Sequence, residues 1–193
     1  MAFFYYDSSV GLQSAVRTGL DKPKLSRFIE EVGRRAGGPG RVYLVGGAGA
    51  LLLGIRETTI DIDLKLDPEP KAIFEGIAAI KERLAIHIEL ASPDLFLPSV
   101  PGWQERSEFI ARSGPVDFYH YDFYAQCLSK ILRGHRIDLS DAKAYVRLGK
   151  VVPLRLRELF EVVRGDCIRY PAIDVPEFEN RVRRFVEEND APS

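Results

Sequence analysis

Asp61 and Asp63 stand two residues apart in a stretch where Ile60, Ile62, Leu64 and Leu66 alternate with Asp61, Asp63, Lys65 and Asp67. That alternation is the two-residue period of a half-buried strand, in which residues i and i+2 project to one side roughly 6.5 to 7 Å apart. Both carboxylates therefore face the same way. Magnesium takes oxygen ligands from one or two side chains and leaves its other places to water and substrate phosphates, so such a pair suits it. A third acid, Glu89, lies in a second alternating stretch where Ile86, Ile88 and Leu90 interleave with His87 and Glu89. On a neighbouring strand Glu89 would complete a metal clamp for in-line phosphoryl transfer, with His87 on its face as a candidate base. Taken alone, an acidic alternating strand is also the pattern of a plain solvated sheet face.

The residues upstream favour chemistry. Gly46-Gly47 closes a short β-rich run and precedes a stretch of small residues. Glycines there let the backbone approach a phosphate and offer it amide N–H groups. A side chain at Gly47 is accordingly expected to fill phosphate volume and abolish nucleotide binding in a folded protein. Arg56 and Thr59 come five and two residues before Asp61, near enough for a guanidinium and a hydroxyl to line the pocket mouth. Further on, Gln126, Lys130 and Arg133 fall on one stripe of a helix whose other side carries Phe123, Cys127, Leu128 and Ile131. That stripe is placed to hold a triphosphate, or is a solvated polar face. Asp138 and Asp141 read as a helix-capping arrangement and stay outside the catalytic set. Trp103 and Arg106 border the pocket or simply pack beside a proline-rich loop.

Val45-Gly46-Gly47 followed by Arg56-Glu57-Thr58-Thr59-Ile60-Asp61-Ile62-Asp63 resembles the signature of the polymerase-beta-type nucleotidyltransferase superfamily. The likeness spans about twenty residues and comes nearest to the minimal bacterial branch of abortive-infection nucleotidyltransferase toxins. Lys130, Arg133, Arg136, Asp138 and Asp141 are similar to that branch's lysine and arginine-aspartate pattern. The resemblance implies an α+β fold, a mixed sheet flanked by helices with a helical C-terminal extension. It also implies magnesium- or manganese-dependent transfer of a nucleoside monophosphate from a nucleoside triphosphate. Asp61, Asp63 and Glu89 would be the catalytic and metal residues. Gly46, Gly47, Arg56, Thr59, Lys130 and Arg133 would bind nucleotide. The acceptor is left open among RNA, a protein hydroxyl and a small molecule, and a cognate toxin or antitoxin partner is expected. The rival reading is a catalytically silent, antitoxin-like binding module on the same fold.

The elements that position these residues follow from periodicity. Helices are expected over residues 23–36, 48–54, 71–84, 121–132, 139–148 (capped by Asp138), 153–163 and 177–188. Strands are expected over 42–45, 60–66, 86–90, 109–112 and 116–120, the last two forming a hairpin at the sheet's far side. Residues 1–120 would form the nucleotidyltransferase-type core and 121–193 a helical region packed on it as one unit. Residues 1–20, opening on Phe3, Phe4, Tyr5 and Tyr6, are expected to pack as an arm.

Composition narrows the classes. With 27 lysines plus arginines against 28 acids and a net charge of −1, there is no global basic field to draw in nucleic acid. Two separated cysteines, no signal-like start and no long apolar run point to a cytoplasmic chain with free thiols and no membrane span. A dinucleotide fold is disfavoured: Leu52 stands where the glycine-rich fingerprint needs its third glycine, and the following acids are paired.

Overall fold

The computed structural model describes residues 19–190. The arm expected over residues 1–20 lies outside them, apart from Gly19 and Leu20. In chain order the elements are α1 (Lys22–Arg35), β1 (Gly40–Val45), α2 (Gly46–Leu52), β2 (Asp61–Leu66), α3 (Ile73–Leu84), β3 (His87–Leu90), α4 (Trp103–Arg106), β4 (Glu108–Ser113), β5 (Val116–His120), α5 (Phe123–Arg133), α6 (Arg136–Arg147), α7 (Pro153–Arg164) and α8 (Val175–Asn189). The class is α+β.

Five strands form one mixed sheet in the order β3-β2-β1-β5-β4. β2 runs antiparallel to β1 and parallel to β3, while β5 is parallel to β1 and closes a hairpin with β4 at the far edge. Alternation along β1 divides the core. Val42 and Leu44 point to one face, where they join Ile62, Leu64 and Phe118 under α1, α2 and α3. Tyr43 and Val45 point to the other and join Trp103, Tyr121 and the buried faces of α5 to α8. The sheet is thus covered on both sides.

Local chemistry sets the ends of the helices. Asp21 accepts from the Lys24 amide at 2.9 Å, Asp122 from the Tyr124 amide at 3.1 Å and Asp174 from the Glu177 amide at 3.0 Å, each satisfying an orphan donor of a first turn. Trp103 is packing: it stacks on Tyr121 at 4.7 Å and meets Tyr43 edge-on at 4.9 Å. Arg106 is held by the buried Asp122 through two hydrogen bonds of 3.1 and 2.7 Å. Both cysteines are free and buried. No helix of the described residues is long and apolar enough to cross a membrane.

Several sequence expectations are corrected. Ile60 precedes β2 and is 67% exposed, because the alternation runs one residue past the ladder. Leu90, expected on the apolar side of its alternating stretch, is 49% exposed because β3 is an edge strand and ends there. α2 starts at Gly46 itself, so the two glycines are its first turn and not a separate one. α6 starts at Arg136 after His135, so Asp138 caps no helix beginning at Leu139.

Candidate functional site

The register of β2 and β3 places Asp63 opposite Glu89 and Asp61 opposite His87, all on one sheet face. This is the arrangement the two alternating stretches predict. The face is not the open surface that pattern suggests. β1 lies on the other side of β2 with Val45 opposite Asp63, and Val45 belongs to the core under the C-terminal helices. The acids therefore stand where that helical cover ends, with β1 covered on one side and β3 exposed on the other.

Asp63 occupies the deepest position. It lines a small cleft with Gly46, Lys130, Arg133, Ser92 and Phe96, whose enclosed volume of about 40 Å³ suits an ion or a water. Burial, then the charges of Glu89 and Asp61, raise its carboxyl to about 6, while Arg133 and Lys130 pull the other way. A buried acid whose charge is disfavoured by burial and by two neighbouring carboxylates, and only partly compensated by Arg133 and Lys130, is a place where a cation would be stabilising.

The three acids do not converge on a point. His87 stands among them, its Nδ1 3.0 Å from Asp61 Oδ1 and 3.4 Å from Glu89 Oε1. Among the described residues no group of three histidine, cysteine or carboxylate side chains is gathered to hold a metal ion. Two register-paired carboxylates are nevertheless enough for magnesium, which expects the remaining ligands from water and phosphate. The oxygen-only chemistry of Asp63 and Glu89 fits that ion. Asp61 is half-exposed, with His87 Nδ1 3.0 Å from its Oδ1. Asp61→Asn is therefore expected to fold with a thermal midpoint equal to or slightly above the parent's, since one charge facing Asp63 is removed, and a loss of more than about 1 kcal/mol would make Asp61 structural.

The glycines take different roles. Gly46 has φ of +59°, and a β-carbon on it would stand 3.0 Å from Asp63 Oδ2, so Gly46 is the glycine that faces the cleft. Its N–H is not free for a phosphate: it donates to Gln126 Oε1 at 2.8 Å. Gln126 also accepts from the Tyr145 hydroxyl at 3.3 Å and donates to the Tyr121 carbonyl at 2.7 Å. A residue expected to hold a triphosphate thus fastens α5 to the β1–α2 junction.

Gly47 does not abut the cleft, which corrects the expectation for it. A β-carbon there would lie 2.1 Å from Thr59 Oγ1 and 3.0 Å from Thr59 Cβ. The space beside Gly47 belongs to Thr59, which is itself held by paired backbone hydrogen bonds of 2.7 and 3.0 Å to Leu20. Gly47→Val should consequently lower stability by about 2 to 3 kcal/mol through overpacking. Chemical denaturation checks this. A variant as stable as the parent would mean that Thr59 swings aside.

Arg56 and Thr59 are likewise absent from the cleft wall. Arg56 grips Asp141, Nε to Oδ1 at 3.2 Å and NH2 to Oδ2 at 2.6 Å. Lys130, 3% exposed, donates to the same Oδ2 at 2.7 Å and lies 3.4 Å from Asp138. Arg133 binds Asp138 through two hydrogen bonds of 3.1 and 2.8 Å. Asp138 and Asp141, set aside as capping residues, are the anions that position Lys130, Arg133 and Arg56. The predicted set therefore divides. Gly46, Asp63, Lys130 and Arg133 share the cleft with Asp61 and Glu89 beside it, while Thr59 and Arg56 gather around Gly47 in the first turn of α2, off the cleft wall. The contact between Lys130 and Asp141 joins the two groups. Ser92, Pro93 and Phe96 were not singled out; their signal was the proline-rich loop directly after the strand that carries Glu89.

No protein-family model matches the chain, and no curated protein or solved structure matches it. The chemistry of the cleft is therefore argued from its own residues.

Proposed function

We propose that this cleft transfers a nucleoside monophosphate from a nucleoside triphosphate to an acceptor hydroxyl. The observation that carries the reading is Asp63: a carboxyl raised to about 6 by burial and by Glu89 and Asp61, in one small cleft with Lys130 and Arg133. Adjacent acids and cations are what a metal-bound polyphosphate requires from its two sides. The Gly-Gly and Thr-Ile-Asp-Ile-Asp resemblance points the same way.

Asp63 and Glu89, with Asp61 beside them, would hold magnesium or manganese, which when bound neutralises phosphate charge. The chain's own cations face that charge. Lys130 is held by Asp141, and Arg133 is held by Asp138. In the reaction the acceptor oxygen bonds to the α-phosphorus, the bond from that phosphorus to pyrophosphate breaks, and the hydroxyl proton passes to a carboxylate of the acidic face. Pyrophosphate leaves with the bonding electron pair.

A specific observation favours a second reading, a silent antitoxin-like binding module. His87 bridges Asp61 and Glu89, and Arg56 and Lys130 are both engaged by Asp141. One experiment separates the two. The chain is incubated with magnesium, α-labelled triphosphates and a cell extract, and both pyrophosphate and the labelled acceptor are measured. Magnesium-dependent pyrophosphate release with label on an acceptor is expected. Calorimetric nucleotide binding without release would establish the silent module instead.

A further inference from the structure

Beside the acidic cleft lies a larger one of about 470 Å³, and the two share Phe96, Ser129 and Arg133. Its walls come from three places: Leu95 and Phe96 in the loop after β3, Leu132 on α5, and Tyr170, Pro171 and Ile173 in the segment before α8. The volume is that of a small-molecule site. Among the lining side chains three carry polar groups: Ser129 and Arg133 on the border shared with the acidic cleft, and Tyr170, with one hydroxyl, away from it.

We infer that this cleft is the acceptor subsite, and that the acceptor is a small molecule with an apolar body and a single hydroxyl turned toward Asp63. The inference rests on the transfer reading above. Apolar walls exclude water from an apolar body and reward its burial. A hydroxyl at the Ser129 and Arg133 border would meet donors beside the reacting phosphate, with its body pointing away from it.

The polar economy of the walls distinguishes this occupant from the base of the nucleotide. A nucleobase carries several donors and acceptors around its edge, and each one buried without a partner is costly. Leu95, Phe96, Leu132 and Ile173 offer such an edge no side-chain partner. A ring with one oxygen leaves nothing unsatisfied there. Two exposed walls, Leu95 at 58% and Phe96 at 54%, are apolar surface that such a ligand would cover.

The test uses 2-naphthol, a planar phenol with its own fluorescence, and the whole chain. We expect saturable binding of one molecule per chain that persists in the presence of magnesium and ATP. Ala172→Trp places a ring in the cleft from an exposed position and should weaken binding at least about tenfold. Leu95→Ser, on the exposed 3-10 turn, removes apolar wall and should weaken it as well if the first variant folds poorly. With ATP present, the unmodified chain should yield adenylated naphthol and pyrophosphate in equal amounts. Displacement of 2-naphthol by ATP would assign the cleft to the base and overturn the inference, as would unaltered affinity in both variants. Nucleotidyl transfer to other acceptors with pyrophosphate release, but no naphthol binding, would sink this inference alone. Naphthol binding without any ATP binding would sink the transfer reading and the acceptor assignment with it.

Discussion

Asp141→Ala is expected to cost about 3 to 5 kcal/mol of stability, the largest effect of any single change at the site. The carboxylate is 3% exposed and accepts from Arg56 at 3.2 and 2.6 Å and from Lys130 at 2.7 Å. Removing it strands the ammonium of Lys130, also 3% exposed, with Asp138 at 3.4 Å as its remaining anion. A buried charge without a close partner is far more costly than the loss of the pair itself. Lys130→Met should be milder, about 1 to 2 kcal/mol, because Asp141 keeps its two bonds from Arg56. The double variant should then be less destabilised than the sum of the single ones, since no stranded ammonium remains. Urea denaturation of the three variants measures this. A loss under about 1 kcal/mol for Asp141→Ala would mean that water reaches Lys130 and that the network is ornamental.

That network was the part of the site least visible in the sequence. Arg56 and Asp141 are 85 positions apart, and no local period relates a cation to an anion at that distance. The misreading of Asp141 had a definite source. An acid three residues after another, at the head of a helix, matches a capping pattern, but α6 begins two residues earlier, at Arg136. A subtler signal was present. Asp141 is followed by Ala142 and Tyr145, both fully buried, so it sits on the helix face turned to the core. A buried acid needs a buried cation, and Lys130, on the preceding helix among Cys127, Leu128 and Ile131, is the one the fold supplies.

Strand alternation, by contrast, is legible because its period is short, although it overruns the ladder at Ile60 and Leu90. The common face of Asp61, Asp63 and Glu89 needed only two stretches and a parallel register, and the ladder pairing Asp63 with Glu89 has both. Alternation could not show what covers that face. Residues far along the chain, in α5 to α8, bury Tyr43 and Val45 and turn half of an acidic surface into the wall of a cleft. The same limit explains Gly47. A glycine after a strand fits either a phosphate or a neighbouring side chain, and only the path that returns Thr59 to α2 decides between them.

Asp63→Asn should stabilise the metal-free protein at neutral pH and remove its response to magnesium. The folded state raises this carboxyl from 3.8 to about 6, so folding favours the protonated form. Well below pH 3.8 the group is neutral in both folded and unfolded chains and costs nothing. Between about pH 4 and 6 the unfolded chain ionises while burial, Glu89 and Asp61 keep the folded group protonated, so stability falls across that window and stays lower above it, where the folded chain carries the charge too. Discounted for partial solvent exposure, the penalty is about 2 kcal/mol at neutral pH, and asparagine removes it. The variant should therefore melt higher than the parent at about pH 7.5 and level with it well below pH 3.8. Magnesium should raise the parent's midpoint at about pH 7.5, less at about pH 5 where protons compete for the carboxylate, and the variant's not at all. Pyrophosphate release should fall on the order of a hundredfold or more, since the cation's anchor beside the phosphate is gone. Equal melting of the two proteins at both pH values would remove the repulsion from the argument. A magnesium response surviving in the variant would place the cation elsewhere, because a ligand bound only by the native state stabilises it in proportion to that binding and needs its ligands intact.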